Sequence, residues 1–182
     1  MVLTPTINDI VWVVEQDEGG FRTWNSEGDP GGMSYAGISS RYHKCWDGWY
    51  QDGHVKMESA IQLYLKEYAQ KLPMEEMEDH TTLRRALLSA AILCGPKDAV
   101  RWLQAAVNGG LMVDGICGPK TRKETRYAVT GAAHELLSEI CLRWMDHLLR
   151  YATSEDTAHF AAGWANRVNR YWNNDIKPAA EL

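Results

Sequence analysis

The stretch Ile7-Asn8-Asp9-Ile10-Val11-Trp12-Val13-Val14-Glu15-Gln16-Asp17-Glu18-Gly19-Gly20-Phe21 reads as an amphipathic helix that stops on two glycines and carries a carboxylate at its end. At about 100° per residue, Ile7, Val11, Val14 and Glu18 share one stripe, with Ile10 beside them. Thr6 is the expected N-cap, with Asp9 three residues on in an imperfect capping box, and Gly19 or Gly20 supplies the stop. The predicted helix therefore spans roughly Ile7 to Glu18. Helical stripes of this kind recur along the chain, and they make the fold class mainly α.

A Glu on an apolar stripe loses hydration when ionised, and at a helix C-terminus it also faces the negative end of the macrodipole. Both effects are expected to raise its pKa, and Glu15 and Asp17 add like-charge repulsion. A carboxylic acid kept protonated near neutral pH suits general-acid cleavage of a glycosidic bond. The same position also fits an ordinary solvated Glu closing the helix, so the helix alone leaves both readings open.

Beyond this helix the pattern breaks: Gly19 to Gly37 holds six of the fifteen glycines and the turn Asp29-Pro30-Gly31-Gly32. Proline presets φ there and glycine accepts positive φ, so a shaped loop or short β-hairpin is expected, with weak strand potential at Phe21 to Trp24 and Tyr35 to Ile38. Helical spacing then returns. Met57, Ala60, Ile61, Tyr64 and Tyr68 form one stripe before Pro73. Thr81 or Thr82 is the expected cap of a helix with Leu83, Leu87, Ala90 and Cys94 inward, stopped by Gly95. Pro96 opens a helix carrying Val100, Leu103 and Val107, which Gly109-Gly110 ends. Asp114-Gly115 and Gly118-Pro119 form a double turn, from which Pro119 can start a short helix. Past Gly131, Leu137, Ile140, Cys141, Trp144 and Leu148 mark a long central helix, and Ser154 is the expected cap of a last helix with Phe160, Trp164 and Val168 inward.

A chain of 182 residues is long enough for one substantial domain or two small lobes. Its net charge of −5 gives no footprint for nucleic acid or an anionic surface, and Lys120 to Arg126 reads as a solvated helix face. No apolar run reaches transmembrane length, and residues Met1 to Thr6 lack the features of a secretory signal, so production in the cytoplasm is expected. The four cysteines form no Cys-x-x-Cys pair and read mostly as reduced core thiols; His43-x-Cys45 is an isolated metal hint. Eight tryptophans are several times average usage. Trp102, Trp144 and Trp164 sit at core spacing, whereas Trp24, Trp46 and Trp49 fall where aromatic faces either line a groove that sugars could pack against or fill the core.

Glu18-Gly19-Gly20-Phe21, Asp29-Pro30-Gly31-Gly32 and Gly37-Ile38-Ser39 together resemble the signature of glycoside hydrolase family 108, the N-acetylmuramidases of phage endolysins and TtsA-like secretion activators. Glu58 to Tyr64 with Tyr68 is similar to the helix that follows in that family. Gly95-Pro96-Lys97-Asp98-Ala99-Val100, Leu103-Gln104, Asn108-Gly109, Val113-Asp114-Gly115, Gly118-Pro119-Lys120-Thr121 and Gly163 to Val168 resemble its predicted peptidoglycan domain. The resemblance implies a lysozyme-like, mostly helical fold with a small irregular or β-hairpin lobe beside the cleft. It implies a muramidase region over 1–78 and a peptidoglycan-binding region over 79–182, packed as one body. The role of catalytic acid carries over to Glu18. Asp29 is the candidate for the group on the opposite face of the sugar, its other reading being a turn cap, and Glu27 is a weaker alternative. Ser34, Tyr35 and Trp24 are the candidate substrate-binding residues. The chain departs from the family where Met33, Ser34, Tyr35 and Ala36 precede Gly37-Ile38, which displaces the tyrosine by one, and where Phe21 replaces the commoner Tyr.

The expected activity is hydrolysis of the β-1,4 bond between N-acetylmuramic acid and N-acetylglucosamine, by a monomer that needs no metal or cofactor. Its partner is the peptidoglycan glycan strand, reached in the periplasm or cell wall after release through a holin or another route. A lytic transglycosylase using the same acid and a weakly active peptidoglycan-binding or secretion-accessory protein are the alternatives.

Overall fold

Helix α1 spans Pro5–Asp17 in the computed structural model, which describes residues 4–25, 32–152 and 158–176. Its N-cap is Thr4 and not Thr6: the Thr4 hydroxyl oxygen accepts from the Ile7 N–H at 3.3 Å. Pro5 takes the first helical position, where a missing N–H leaves no bond unmade and the fixed φ is already helical. Thr6 is thus inside the helix, and Asp9 is buried instead of completing a capping box. The inward residues are Ile7, Ile10, Val13 and Val14, so Val13 takes the place expected of Val11, which is only half-buried. The apolar set of α1 is wide, and the position of helix α2, Gly53–Glu67, which packs on it, selects which edge is covered.

The chain divides into two compact units, Met1–Gln70 and Lys71–Leu182. In the first, α1 is followed by strands β1 (Thr23–Trp24), β2 (Ser34–Tyr35) and β3 (Ile38–Ser39), which form one antiparallel sheet in the order β1-β2-β3. Thr23 pairs with Tyr35 and Trp24 with Ser34; Tyr35 also pairs with Ile38 and Ser34 with Ser39. Ala36 and Gly37, at φ +52° and +80°, make the two-residue connection between β2 and β3, as a type I′ hairpin requires. From α2, Ala60, Ile61 and Tyr64 point inward, in agreement with the expected stripe. Trp46 is buried, stacked on Tyr35 at 5.9 Å between ring centroids and met edge-on by Trp49 at 4.9 Å. It serves the core of this unit rather than a groove.

The second unit holds α3 (Thr81–Cys94), α4 (Pro96–Val107), α5 (Pro119–Tyr151, with a non-helical residue at Ala132) and α6 (Ala161–Ile176). Leu83, Leu87, Ala90, Val100, Leu103, Leu137, Ile140, Cys141, Trp144 and Leu148 are all buried, as their periodicity requires. The break at Ala132 separates a first helix opened by Pro119 from the long central one. Three details differ from expectation. The N-cap of α3 is His80, without a side-chain capping bond; α4 ends on Asn108 in the left-handed region, one residue before Gly109; and Phe160 is exposed, whereas Arg167 and Tyr171 are buried beside Val168, which faces inward as expected. Arg167 reaches across to α3, donating from Nε to the Ser89 hydroxyl at 2.9 Å, and this polar tie turns the helix away from the purely apolar stripe. Buried Glu76 is held by Arg122 at 3.0 Å and Arg126 at 3.6 Å. The expected cap Ser154 lies outside the described residues. Cys45 is exposed, contrary to a core thiol, whereas Cys141 is buried. No helix among the described residues is long and apolar enough to cross a membrane.

Candidate active site

Glu18 is the C-cap of α1, half-buried, with its N–H donating to the Val14 carbonyl at 3.2 Å. The same carbonyl accepts from the Gly20 N–H at 3.0 Å, and both Gly19 and Gly20 have positive φ, +82° and +87°. Two successive left-handed residues turn the chain sharply off the helix end, a conformation that side chains resist and glycine accepts. The following segment leaves in the direction of β1, and the Arg22 carbonyl accepts from the Ala36 N–H at 3.1 Å.

The hairpin turn then closes against the acid. A Cβ placed on Gly37 would lie 2.4 Å from Glu18 Oε2, 2.9 Å from its Cδ and 3.0 Å from its Cβ. The backbone at Gly37 is therefore the wall on which the Glu18 side chain rests. Tyr64 of α2 secures that turn from behind, its buried hydroxyl donating to the Ala36 carbonyl at 2.6 Å. Tyr68, its ring 5.6 Å from that of Tyr64, has its phenol pushed above the ordinary tyrosine range by burial and then by the charges of Glu18 and Glu67. It stays neutral at physiological pH beside the acid.

A cavity of about 410 Å³ opens over this point, lined by Glu18, Gly19, Arg22, Trp24, Ser34 and Gly37. The sheet register explains the set: Trp24 and Ser34 are cross-strand partners and so share a face, whereas Thr23 and Tyr35, paired with each other, point to the opposite one. Trp24 is 61% exposed and presents a free aromatic surface. Of the sequence candidates, the structure brings Glu18, Trp24 and Ser34 together. Tyr35 is turned away, buried against Trp46, and lines a second cavity of about 560 Å³ with Arg22, Thr23 and Lys56. Asp29 and Glu27 lie outside the described residues, as does most of the turn Asp29-Pro30-Gly31-Gly32.

Arg22, Gly37, Tyr64 and Lys56 were not singled out as site residues from the sequence. Tyr64 had one legible signal, since a tyrosine on an otherwise apolar stripe brings a hydroxyl that needs a partner when buried. In the second unit, the Asp114-Gly115 turn uses its polar groups on the chain itself. Gln104 donates to Asp114 Oδ1 at 2.9 Å and accepts from the Gly115 N–H at 2.9 Å, and the Ile116 N–H donates to Asp114 at 2.8 Å. These bonds, that of Gln104 first and that of Ile116 next, hold the Asp114 carboxyl below its usual range. His43 and Cys45 belong to no cluster of three or more metal-capable side chains among the described residues.

A half-buried carboxyl braced on backbone, with a flat aromatic wall and a hydroxyl beside it, has the chemistry to exchange a proton with a ligand in the cavity. Residues 11–95 match the family described as glycosyl hydrolase 108, and residues 98–169 match the predicted peptidoglycan domain. A search of curated proteins found no relative. Among solved structures, Brucella abortus SagA is similar at 27% identity and a TM-score of 0.69, the alignment covering 93% of this chain and 92% of that one. The fold is thus mainly α and lysozyme-like. With both matches in sequence order and a similar solved structure aligned along nearly its whole length, residues 11–95 resemble glycosyl hydrolase 108 and residues 98–169 the predicted peptidoglycan domain, a pairing that supports a glycoside hydrolase of peptidoglycan.

Proposed function

We propose that this hydrolase is an N-acetylmuramidase that cleaves the β-1,4 bond between N-acetylmuramic acid and N-acetylglucosamine, with Glu18 as its general acid. The observation that carries this reading is the seat of Glu18: its carboxyl rests on the Gly37 backbone in a cavity shared with Trp24 and Ser34. Protonated Glu18 gives its proton to the glycosidic oxygen as the bond to the anomeric carbon breaks and positive charge develops on the muramic acid ring. Trp24 offers an apolar face to a sugar, and Ser34 a hydrogen bond to one of its polar groups. Asp29 or an ordered water serves the opposite face; the hydroxyl of a water molecule replaces the leaving sugar, and its remaining proton restores the acid–base pair. The protein acts as a monomer on the cell wall, after release from the cytoplasm.

Glu18→Gln keeps the shape and removes the proton. General acids contribute about 10²–10⁴-fold, so the variant is expected to retain under a tenth of wild-type release of fragments from purified sacculi. More than a tenth would end the assignment of Glu18. Mass spectrometry of the wild-type products is expected to show reducing-end muramic acid; the 1,6-anhydro form would instead make the enzyme a transglycosylase.

A further inference from the structure

The second cavity lies on the other face of the sheet from Trp24 and Ser34, and Arg22 lines both. Arg22 Nη2 lies 3.6 Å from where a Cβ on Gly19 would stand, which folds the guanidinium back over the glycine that follows Glu18. Further in, Lys56 holds its ammonium 4.8 Å above the centroid of Tyr35 and 5.9 Å from that of Trp49. Both aromatic rings are themselves fixed, through the stacking on Trp46 and through Trp49 Nε1 donating to the His43 carbonyl at 2.7 Å. Two cations thus mark the entrance and the wall of the same cavity. Asp52 and His54 complete its polar rim, with His54 Nε2 3.3 Å from a Glu58 carboxylate oxygen.

From this arrangement we infer that the second cavity is a carboxylate-binding subsite for the branch carried by muramic acid, with Arg22 and Lys56 as its ligands. This rests on the muramidase reading, because muramic acid is the sugar of the strand that carries the branch. Glycan over the Glu18 face needs no cation for its neutral rings. Arg22 lines both cavities, so a substituent passing from one to the other meets it, and what that substituent brings is anionic: the lactyl carboxylate of a bare strand, or the free carboxylates of a stem peptide. A guanidinium pairs with either through parallel N–H donors, and the ring-supported ammonium of half-buried Lys56 adds a second charge beside it. The side of the scissile bond that receives muramic acid would then be set by charge and not by the sugar ring alone.

The test measures binding with the Glu18→Gln protein, in which turnover is suppressed. Three ligands are titrated: soluble strands bearing stem peptides, the same strands stripped of peptide by an amidase, and chitohexaose, which has no carboxylate. Adding Arg22→Gln or Lys56→Gln is expected to weaken binding of stem-bearing strands about tenfold, the scale of one charge-assisted hydrogen bond, and to flatten its salt dependence. A loss that persists on stripped strands identifies the lactyl carboxylate as the ligand; a loss confined to stem-bearing strands identifies the peptide. An equal loss on chitohexaose, or unchanged affinity and salt dependence on stem-bearing strands with the thermal melt intact, overturns the subsite. Neither result bears on Glu18 as acid, which the cleavage assay decides separately.

Discussion

Gly37→Ala is the perturbation that most directly examines how the acid is held. The new methyl would stand 2.4 Å from Glu18 Oε2, so the carboxylate must retreat by about 1 Å to reach ordinary contact distance. A misplacement of about 1 Å at a reacting group can cost on the order of 10²-fold in rate. The substitution also places a side chain at φ +80°, which costs about 1–2 kcal/mol and lowers the melting temperature by a few degrees in a protein of this size. These two effects are separable. Turnover of peptidoglycan strands at 25 °C, where the variant is still folded, is expected to fall about 100-fold, far more than the loss of stability explains. Gly110→Ala is the control: Gly110 also has positive φ, +64°, but nothing stands within 4 Å of the added carbon, so it should shift the melt and leave turnover near wild type. A Gly37→Ala enzyme within about threefold of wild type would refute the idea that this wall positions Glu18.

Three further outcomes follow from the same geometry. Tyr64→Phe deletes the buried 2.6 Å bond to the Ala36 carbonyl and should lower stability by about 1–2 kcal/mol in chemical denaturation, with kcat reduced more than KM is raised, because the turn behind Glu18 loosens; unchanged denaturation and kcat would count against it. The Asp114 carboxyl is depressed in the folded protein, so its stabilisation is present above the unfolded-chain value of about 3.9 and is lost as pH falls through the folded one. Denaturation measured from about pH 5 to pH 2 should therefore show a shallower loss for Asp114→Asn than for wild type, and parallel curves would contradict this. Burial pushes the Cys94 and Cys117 thiols up to about 11, whereas Cys45 is exposed. Alkylation at pH 8 followed by peptide mapping should label Cys45 first, and faster labelling of Cys94 would be inconsistent with its burial.

The helical part of the molecule was largely legible from periodicity. Leu137, Ile140, Cys141, Trp144 and Leu148 recur at helical spacing and are buried, as are Ala60, Ile61 and Tyr64. The misses fall at element ends and on faces with more than one apolar choice. Thr6 and Thr4 are both competent caps, and Pro5 between them decides for Thr4 because it fits only the first helical turn. Phe160, expected inward, is exposed, while the long polar side chain of Arg167 is buried on Ser89, a partner 78 residues away, which no local pattern announces.

The sequence by itself determined that the chain is mainly helical, that Glu18 ends a helix at a pair of glycines, and that the motifs along it resemble one hydrolase family. Each of these depends on neighbours within a few residues, where backbone geometry and side-chain spacing act locally. The tertiary structure alone decided what surrounds Glu18. Gly37 comes to it across a hairpin, Tyr64 secures that hairpin from another helix, and the two-residue alternation of β1 and β2 sends Trp24 and Ser34 to the acid while turning Tyr35 and its cationic companion Lys56 to the opposite face. A carboxyl becomes a candidate acid through groups distant in the chain, and only folding brings those groups within reach of it.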